Sequence, residues 1–254
     1  PRSLAPAPPA ATPEAEMLPV SGPHARRVGP NVLVIEQLDV RAGGETRERT
    51  YFYQAAQFAF AKNGMERNPW DSAVQFKDDI VARTFPPASG VEASYRFVIK
   101  ERVPARVTAV VERPDLYTIV CNGTPVAPAK GEWWLDRAFG RLDITRAVRA
   151  GDNEIVLKAS PFTVFHELEP IYILGDFALD ASESGFAITA DRTTELGPWN
   201  AQGQPFYSDG VAYTETFLVP ETRGQYRLRL ERWYGSVARV RVNGQAAGVI
   251  ASAP

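Results

Sequence analysis

Cysteine and histidine are scarce in this sequence, and the scarcity of each argues against a class of site. The single cysteine, Cys121, cannot form an internal disulfide, and its place in the apolar run 117–121 predicts a small buried side chain. Two histidines supply few ligands for a zinc site and few bases for a catalytic triad. No glycine-rich phosphate loop follows a strand and opens a helix. The sequence therefore predicts no nucleotide site and no catalytic thiol.

Excess charge and long apolar runs are also missing. The formal net charge is −2, which gives no reason to expect a nucleic acid or an anionic membrane as a partner. No apolar run approaches the roughly 20 residues that a helix needs to cross a bilayer. Apolar residues make up 44% and charged residues 23% of the chain, as in ordinary globular proteins.

Apolar residues recur at helical spacing in only one segment of the sequence. In most other segments apolar and polar residues alternate, as in β-strands. Residues 47–64 (RERTYFYQAAQFAFAKNG) are predicted to form a helix that stops at Asn63 and Gly64. Alternating runs elsewhere, such as ASYRFVIKERV, RVTAVVE, NEIVLKA, YTETFLVP, QYRLRLERW and ARVRVNG, are separated by turn signals. This spacing predicts an all-β fold, with tandem jelly-roll β-sandwiches and one accessory helix.

Three regions are predicted along the chain. Residues 1–27 are rich in proline and alanine and are expected to be a linker or an arm. Residues 28–180 are expected to form the first sandwich with its helix, and 181–254 a second sandwich. Segments 110–126 and 228–248 both run strand, Glu-Arg, turn, strand, Asn-Gly, which is a weak internal repeat. Because only the first copy continues into closing strands, the second sandwich is expected to be incomplete.

The segment GRLDITRAVRAGDNEIVLKA (140–159) carries the acidic residues of one candidate site. Asp143 opens a short turn, where a carboxylate accepts orphan backbone N–H groups, and Gly151 and Asn153 are expected to close it. This interpretation makes the segment scaffold. The functional alternative is a structural calcium ion held by Asp143 or Asp152.

Several motifs resemble those of known glycosidases. Asn122-Gly123 after a strand, then Asp143-Ile144-Thr145, then Gly151-Asp152-Asn153 before an alternating strand resemble the galactose-binding-like jelly-roll domain of glycoside hydrolase family 2. The segments VGPNVLVIEQLDVR, ELEPIYILGDFAL and LGPWNAQGQPFYSDGVAYTETFLVP are similar to large bacterial enzymes of α-L-rhamnosidase type. The resemblance covers about residues 28–250. It implies a periplasmic or extracellular location, and catalytic carboxylates on a separate (β/α)8 barrel that has no counterpart among these residues.

Candidate sugar-contacting and acid–base residues follow from composition. Tryptophans in turn-rich or paired contexts are the candidates for carbohydrate stacking: Trp70, Trp133, Trp134 and Trp199. Each is also compatible with a loop pinned by a buried indole. Glu167 and Glu169 are expected to project from one side of an extended segment, where they form either a polar seam against a neighbouring domain or an acid–base pair.

These observations predict a non-catalytic β-sandwich region of a glycoside hydrolase. Its expected partners are a catalytic barrel of the same parent protein and carbohydrate. No catalytic residue and no cofactor are assigned, apart from the calcium alternative. A free-standing carbohydrate-binding module is one alternative, and it requires an exposed aromatic platform. A self-contained hydrolase or lyase using Glu167, Glu169 or Asp176 is the other, and it requires a concave pocket around these carboxylates.

Overall fold

The computed structural model describes residues 18, 20–71, 78–183, 185–219, 225–230 and 235–251. Residues 21–215 form one compact unit, and residues 216–254 belong to a second unit with 1–20. Most of the predicted N-terminal arm (1–17 and 19) lies outside the described residues, while His24–Arg27 at its end form a strand. The predicted boundary at residue 180 and the second sandwich stay predictions.

Strands dominate the part of the chain that the structure describes. They are β1 His24–Arg27, β2 Asn31–Ile35, β3 Gln37–Ala42, β4 Glu45–Tyr51, β5 Val91–Ile99, β6 Val107–Glu112, β7 Thr118–Cys121, β8 Thr124–Val126, β9 Trp133–Trp134, β10 Asp136–Asp143, β11 Gly151–Ala159, β12 Ile171–Gly175, β13 Ala178–Ser182, β14 Gly185–Thr189, β15 Val211–Thr214, β16 Ala238–Val242 and β17 Gln245–Ile250. The helices are α1 Phe52–Lys62 and the four-residue α2 Asp78–Val81, with 3₁₀ turns at Pro114–Leu116 and Trp199–Gln202.

Two mainly antiparallel sheets enclose one core in the unit 21–215. One sheet has five strands in the order β2-β12-β6-β10-β9. The other has eight, with β13-β14-β5-β11-β7-β8 in order and β3 and β4 added beside β5. Residues such as Ile173 of the first sheet and Tyr95 and Ile155 of the second are fully buried in the same cluster. The predicted all-β sandwich is therefore confirmed.

The predicted helix is present, but it begins later than expected. Residues 45–51 form β4, which pairs with β3 from Gln37↔Tyr51 to Ala42↔Glu45. These residues are polar at nearly every position, so they lack the alternation that indicates a strand. They form one because they pair with β3. From Phe52 the helix buries Ala55, Ala56 and Ala59, as the helical spacing predicted. Gly64, at φ +85°, lies just beyond its end.

The internal repeat is visible as two similar hairpins. Asn122 and Gly123 join β7 to β8, and Asn243 and Gly244 join β16 to β17. All four residues have positive φ, which gives the turn geometry that matches the twist of two strands joined by two residues. The Asn-Gly signals therefore predicted both turns correctly.

Two predicted strands near the C-terminus differ from the structure. Residues 225–230 of QYRLRLERW form no strand, and 231–234 lie outside the described residues. Tyr226 and Leu228 are 52% and 53% exposed, so alternation here is not matched by a partner strand that would bury one face. In YTETFLVP, only the residues up to Thr214 belong to a strand, β15, which pairs with β1.

The five-stranded sheet is apolar on both faces, which positions the candidate site. Leu33, Ala109 and Ile173 face the main core, whereas their strand neighbours Val32, Val110 and Leu174 form a separate cluster on the outer face. Tyr172, Trp134, Phe139, Val34 and Phe206 pack against this outer cluster. Antiparallel sheets with one solvated face alternate apolar and polar residues, and this sheet does not.

Candidate functional site

The loop between β11 and β12 carries Glu167 and Glu169, and a buried histidine fixes its shape. The Thr163 backbone N–H donates to Nδ1 of His166 at 2.8 Å, and Nε2 lies 3.0 Å from the Leu116 carbonyl oxygen. These contacts require a neutral ring with its proton on Nε2. Burial lowers the pKa of His166, which keeps the ring neutral. His166 is therefore an anchor of the loop.

The fully buried Tyr95 and the half-buried Tyr117 hold the backbone on either side of Leu168. The Tyr117 hydroxyl donates to the Glu167 carbonyl at 3.0 Å, and the Tyr95 hydroxyl donates to the Glu169 carbonyl at 2.8 Å. Leu168 is 1% exposed and enters the core, so the flanking glutamates leave the backbone on the other side. The glutamate backbone is thus rigidly placed even though it belongs to no strand.

The side chains of these glutamates belong to a cluster of carboxylates. Burial, followed by the charges of Glu167, Glu112 and Asp71, raises the pKa of Glu169 to about 7. Burial and then the charge of Glu167 also raise the pKa of Glu112, at the end of β6, although the Arg113 guanidinium opposes this shift. We call Asp71, Glu112, Glu167 and Glu169 the acidic cluster.

An asparagine connects two members of the acidic cluster. The side-chain amide of Asn68, which is 2% exposed, donates to Glu167 Oε1 at 2.9 Å and to Asp71 Oδ1 at 3.2 Å. Asn68 Oδ1 accepts the Trp70 backbone N–H at 3.0 Å. Within the described residues, no member of the cluster forms an ion pair with a lysine or arginine. Among the residues that the structure describes, no direct ion pair offsets the negative charge of the cluster.

Three aromatic side chains lie on the outer sheet face beside the acidic cluster. The ring centroids of Trp134 and Tyr172 are 5.1 Å apart, and Phe139 packs edge-on against Tyr172 at 6.1 Å. The charges of Glu169 and Glu112, after burial, raise the pKa of Tyr172, which shows that the ring and the carboxylates are neighbours. Phe139 pairs with Glu112 across the ladder. Aromatic and carboxylate groups thus share one surface.

The four sequence-predicted tryptophans occupy different places. Trp134 joins the outer face, while the adjacent Trp133 is 49% exposed, in keeping with the opposite directions of successive strand residues. The Trp70 indole donates to the Val164 carbonyl at 2.6 Å, and its ring stacks on Phe165. The Trp199 indole donates to the Tyr213 hydroxyl at 3.0 Å. Trp70 and Trp199 therefore pin their loops, and whether any of the four contacts sugar stays a prediction.

Asp143 and Asn153 have the structural roles that the sequence predicts. Asp143 Oδ1 accepts the Thr145 backbone N–H at 2.9 Å, and hydrogen bonds from Thr145 lower the pKa of Asp143. The Asn153 side chain, 2% exposed, bonds the backbone of Arg149 and Gly151 and accepts from the Asn122 amide at 2.8 Å. Gly151 has φ +89°. The segment closes a loop onto the Asn122 turn.

The metal and thiol candidates have the following environments. Among the described residues, no three histidine, cysteine, aspartate or glutamate side chains are grouped so that they could hold a metal ion. A calcium site at Asp143 or Asp152 stays a prediction. Cys121 is fully buried, as predicted, and burial raises the pKa of its thiol to about 11. In the part of the chain that the structure describes, no helix is long and apolar enough to cross a membrane.

Sequence reasoning found two members of the acidic cluster and missed the others. Glu112 belongs to the Glu-Arg pair of the internal repeat, and Asn68 and Asp71 lie beside Trp70 in the sequence, and neither context indicates an acidic site. A motif search could not join them, because 99 residues separate Asn68 from Glu167. Asp176, the third candidate acid, is exposed. It follows the C-terminal end of β12, whereas Glu169 precedes the N-terminal end of the same strand, so about 20 Å of extended chain separates the two residues.

Comparisons with known proteins include a distant structural likeness. No protein-family model and no characterised protein matches the sequence. A crystal structure of an FMN-binding beta-glucuronidase from Facaelibacterium prausnitzii L2-6 aligns with 18% identity and a TM-score of 0.33. The alignment covers 60% of this chain and 24% of that enzyme, so the chain spans about a quarter of its length. A likeness at this level carries no conclusion about activity.

Proposed function

We propose that this chain is a non-catalytic β-sandwich region of a glycoside hydrolase of α-L-rhamnosidase type, which packs on a catalytic barrel and binds carbohydrate. The observation that carries the proposal is the outer face of the five-stranded sheet. Its central residues, including Val110 and Leu174, are buried, and its margin consists of the half-buried Tyr172, Trp134 and Phe139. Side chains of this chain already cover the central residues, so the partly exposed aromatic margin is the surface that a neighbouring domain would cover.

The acidic cluster fits the same proposal. Burying a carboxylate without a cation is unfavourable, and Glu169 responds with a raised pKa. A neighbouring domain that brings an arginine or lysine to this margin would restore the charge balance. Hydroxyl groups of a sugar held between the two domains would instead donate to the carboxylates, while the aromatic rings receive its C–H face. Trp134 is the predicted carbohydrate contact that lies at this margin.

The enzyme class in this proposal, a glycoside hydrolase of α-L-rhamnosidase type, is based on the resemblance of the sequence motifs. The Asn122, Asp143 and Asn153 elements form the loop described above, and in the family that they resemble such a domain accompanies a barrel. The test is the sequence of the reading frame on both sides of this segment. We expect a (β/α)8 barrel with a pair of carboxylates. A reading frame that encodes no further domain would overturn the packing role.

A second candidate function rests on Glu169 itself. A carboxyl group with a pKa of about 7 beside another carboxylate is the arrangement that a general acid requires, so a self-contained hydrolase is the alternative. Purified chain should be assayed with a panel of 4-nitrophenyl glycosides, including the α-L-rhamnoside, beside Glu169→Gln and Glu167→Gln. We expect no turnover above a no-protein blank. Turnover that either substitution removes would favour the hydrolase instead.

A further inference from the structure

A cleft on the surface of the unit 21–215, which shares Asp71 with the acidic cluster, has the composition of a saccharide site. The cleft encloses about 430 Å³, within the range of about 300–1,000 Å³ that ligand sites in proteins occupy. It lies between the end of β4, the solvent side of α1 and the loop that carries Asp71. Its walls are formed by Arg47, Thr50, Tyr53, Gln54, Gln57 and Asp71.

An aromatic platform lies on the helical side of this cleft. Tyr53 is 52% exposed, and its ring stacks on Tyr51, which is 43% exposed, with centroids 6.0 Å apart and planes 20° apart. Neither ring packs in the core, so core packing does not explain why an aromatic residue stands at these positions. An exposed phenol ring that a second ring supports offers a flat apolar surface, which is complementary to the C–H face of a pyranose.

The polar groups of the cleft are held in place. Gln57 Oε1 accepts the Asn68 backbone N–H at 2.9 Å, and its Nε2 donates to the Glu66 carbonyl at 3.3 Å, so the helix and the opposite loop are tied together. The Arg47 guanidinium lies 4.5 Å above the Phe58 ring, which restricts its position. The cleft walls therefore have a defined spacing before any ligand enters.

Opposite charges line the cleft without neutralising each other. Within the described residues, neither Arg47 nor Asp71 takes part in an ion pair. Arginine only donates hydrogen bonds, a carboxylate only accepts them, and the amide of Gln54 does both. A hydroxyl group also does both, so adjacent sugar hydroxyls satisfy all three side chains. A net anion is attracted by Arg47 and repelled by Asp71, and a net cation the reverse, so the pair of charges favours neither sign.

We propose that this cleft binds a neutral pyranose unit, with its C–H face on Tyr53 and its hydroxyls shared by Arg47, Gln54 and Asp71. This inference rests on the proposed function for the ligand class, and none of the four tryptophans lines the cleft. An open cleft that orders few groups binds weakly, so we expect a dissociation constant on the order of 1 mM. Zwitterionic amino acids match the two charges but lack an extended C–H face.

The test is a titration of the ¹⁵N-labelled chain, followed by backbone amide shifts. The probes are the methyl pyranosides of rhamnose, glucose, galactose and xylose, with serine as the zwitterion. We expect at least one glycoside to shift the amides of residues 47–57, and serine to leave them unchanged. Tyr53→Ala should weaken binding about tenfold. Arg47→Gln and Asp71→Asn should each weaken it about 3- to 10-fold.

Matched controls separate this inference from the proposed function. Tyr226→Ala removes another exposed aromatic ring, and Arg137→Gln removes another exposed guanidinium. Both should bind the glycoside like the unmodified chain. Binding that survives Tyr53→Ala but is lost in Trp133→Ala or Trp134→Ala would overturn the cleft while leaving carbohydrate binding in place. If no glycoside shifts any amide, both the cleft and the carbohydrate part of the proposed function are wrong. If Tyr53→Ala fails to fold, the glycoside titrations of Arg47→Gln and Asp71→Asn decide whether the cleft binds the sugar.

Discussion

The side-chain amide of Asn68 donates a hydrogen bond of 2.9 Å to Glu167 Oε1 and also contacts Asp71 Oδ1 at 3.2 Å. One buried amide thus separates two carboxylates that no lysine or arginine of the described residues neutralises. Replacing it with a third carboxylate, Asn68→Asp, should destabilise the protein more at about pH 8 than at about pH 5, because protonation relieves like-charge repulsion. Urea unfolding at both pH values measures this. Asn200→Asp, at an exposed position, is the control and should show no such difference.

Glu169 predicts a pH dependence of stability with a defined sign. Its folded-state pKa of about 7 lies above the ordinary value of 4.5, so the folded protein binds this proton more tightly than the unfolded chain does. The contribution to stability is fully present below the ordinary pKa and is lost as pH rises through about 7.

Glu169→Gln keeps the group neutral and should reduce that loss. The variant is expected to gain stability relative to the unmodified chain at about pH 8, and to differ little from it at about pH 5. Urea unfolding measures both, with Glu101→Gln as an exposed control. A difference between the two chains that is independent of pH would mean that Glu169 does not titrate in this window.

Asn153 should be one of the most sensitive polar positions in the chain. Its amide bonds two backbone segments and the Asn122 side chain while buried, so truncation leaves several groups without partners. Asn153→Ala should lower the free energy of unfolding by about 2–4 kcal/mol, more than the roughly 1–3 kcal/mol of one unsatisfied buried group. The exposed Asn200→Ala should cost far less. Comparable losses at the two positions would contradict the role assigned to Asn153.

Asp143 should stabilise its turn without a metal. Asp143→Ala should lower the free energy of unfolding by about 0.5–2 kcal/mol, as for a lost cap. Since hydrogen bonds lower the pKa of Asp143, its contribution is present above the ordinary pKa and is lost as pH falls through the folded value. Thermal unfolding with calcium and with a chelator is the measurement. Calcium-dependent stabilisation that disappears in the variant would establish the calcium alternative.

The hairpin β16–β17 should open more readily than the strands of the sandwich. Val242 and Val249 are 58% and 64% exposed, whereas Val107, Val110 and Cys121 are fully buried. A two-stranded hairpin that buries little apolar surface is marginally stable. Amide hydrogen exchange should therefore be faster over 238–250 than over 107–121. Equal protection would show that the hairpin is covered in solution.

The sequence by itself determined the elements whose signals are local. The Asn122-Gly123 and Asn243-Gly244 turns, the cap at Asp143, the burial of Cys121 and the helix after Phe52 all follow from backbone preferences or from periodicity over a few residues. The alternating runs also predicted the sandwich. The start of α1 was wrong by five residues, because the polar run 47–51 becomes a strand only beside β3.

Only the tertiary structure decided which distant residues share a surface. The acidic cluster draws Asp71, Glu112 and Glu169 from three separate segments, and the pKa of Glu169 depends on burial that the fold creates. The cleft beside Tyr53 likewise joins the end of β4, one side of α1 and the Asp71 loop. Local sequence determines on which face of its own helix or strand a side chain lies. The packing of distant segments determines which residues surround it and how far it is exposed to water. Function at these sites depends on those neighbours.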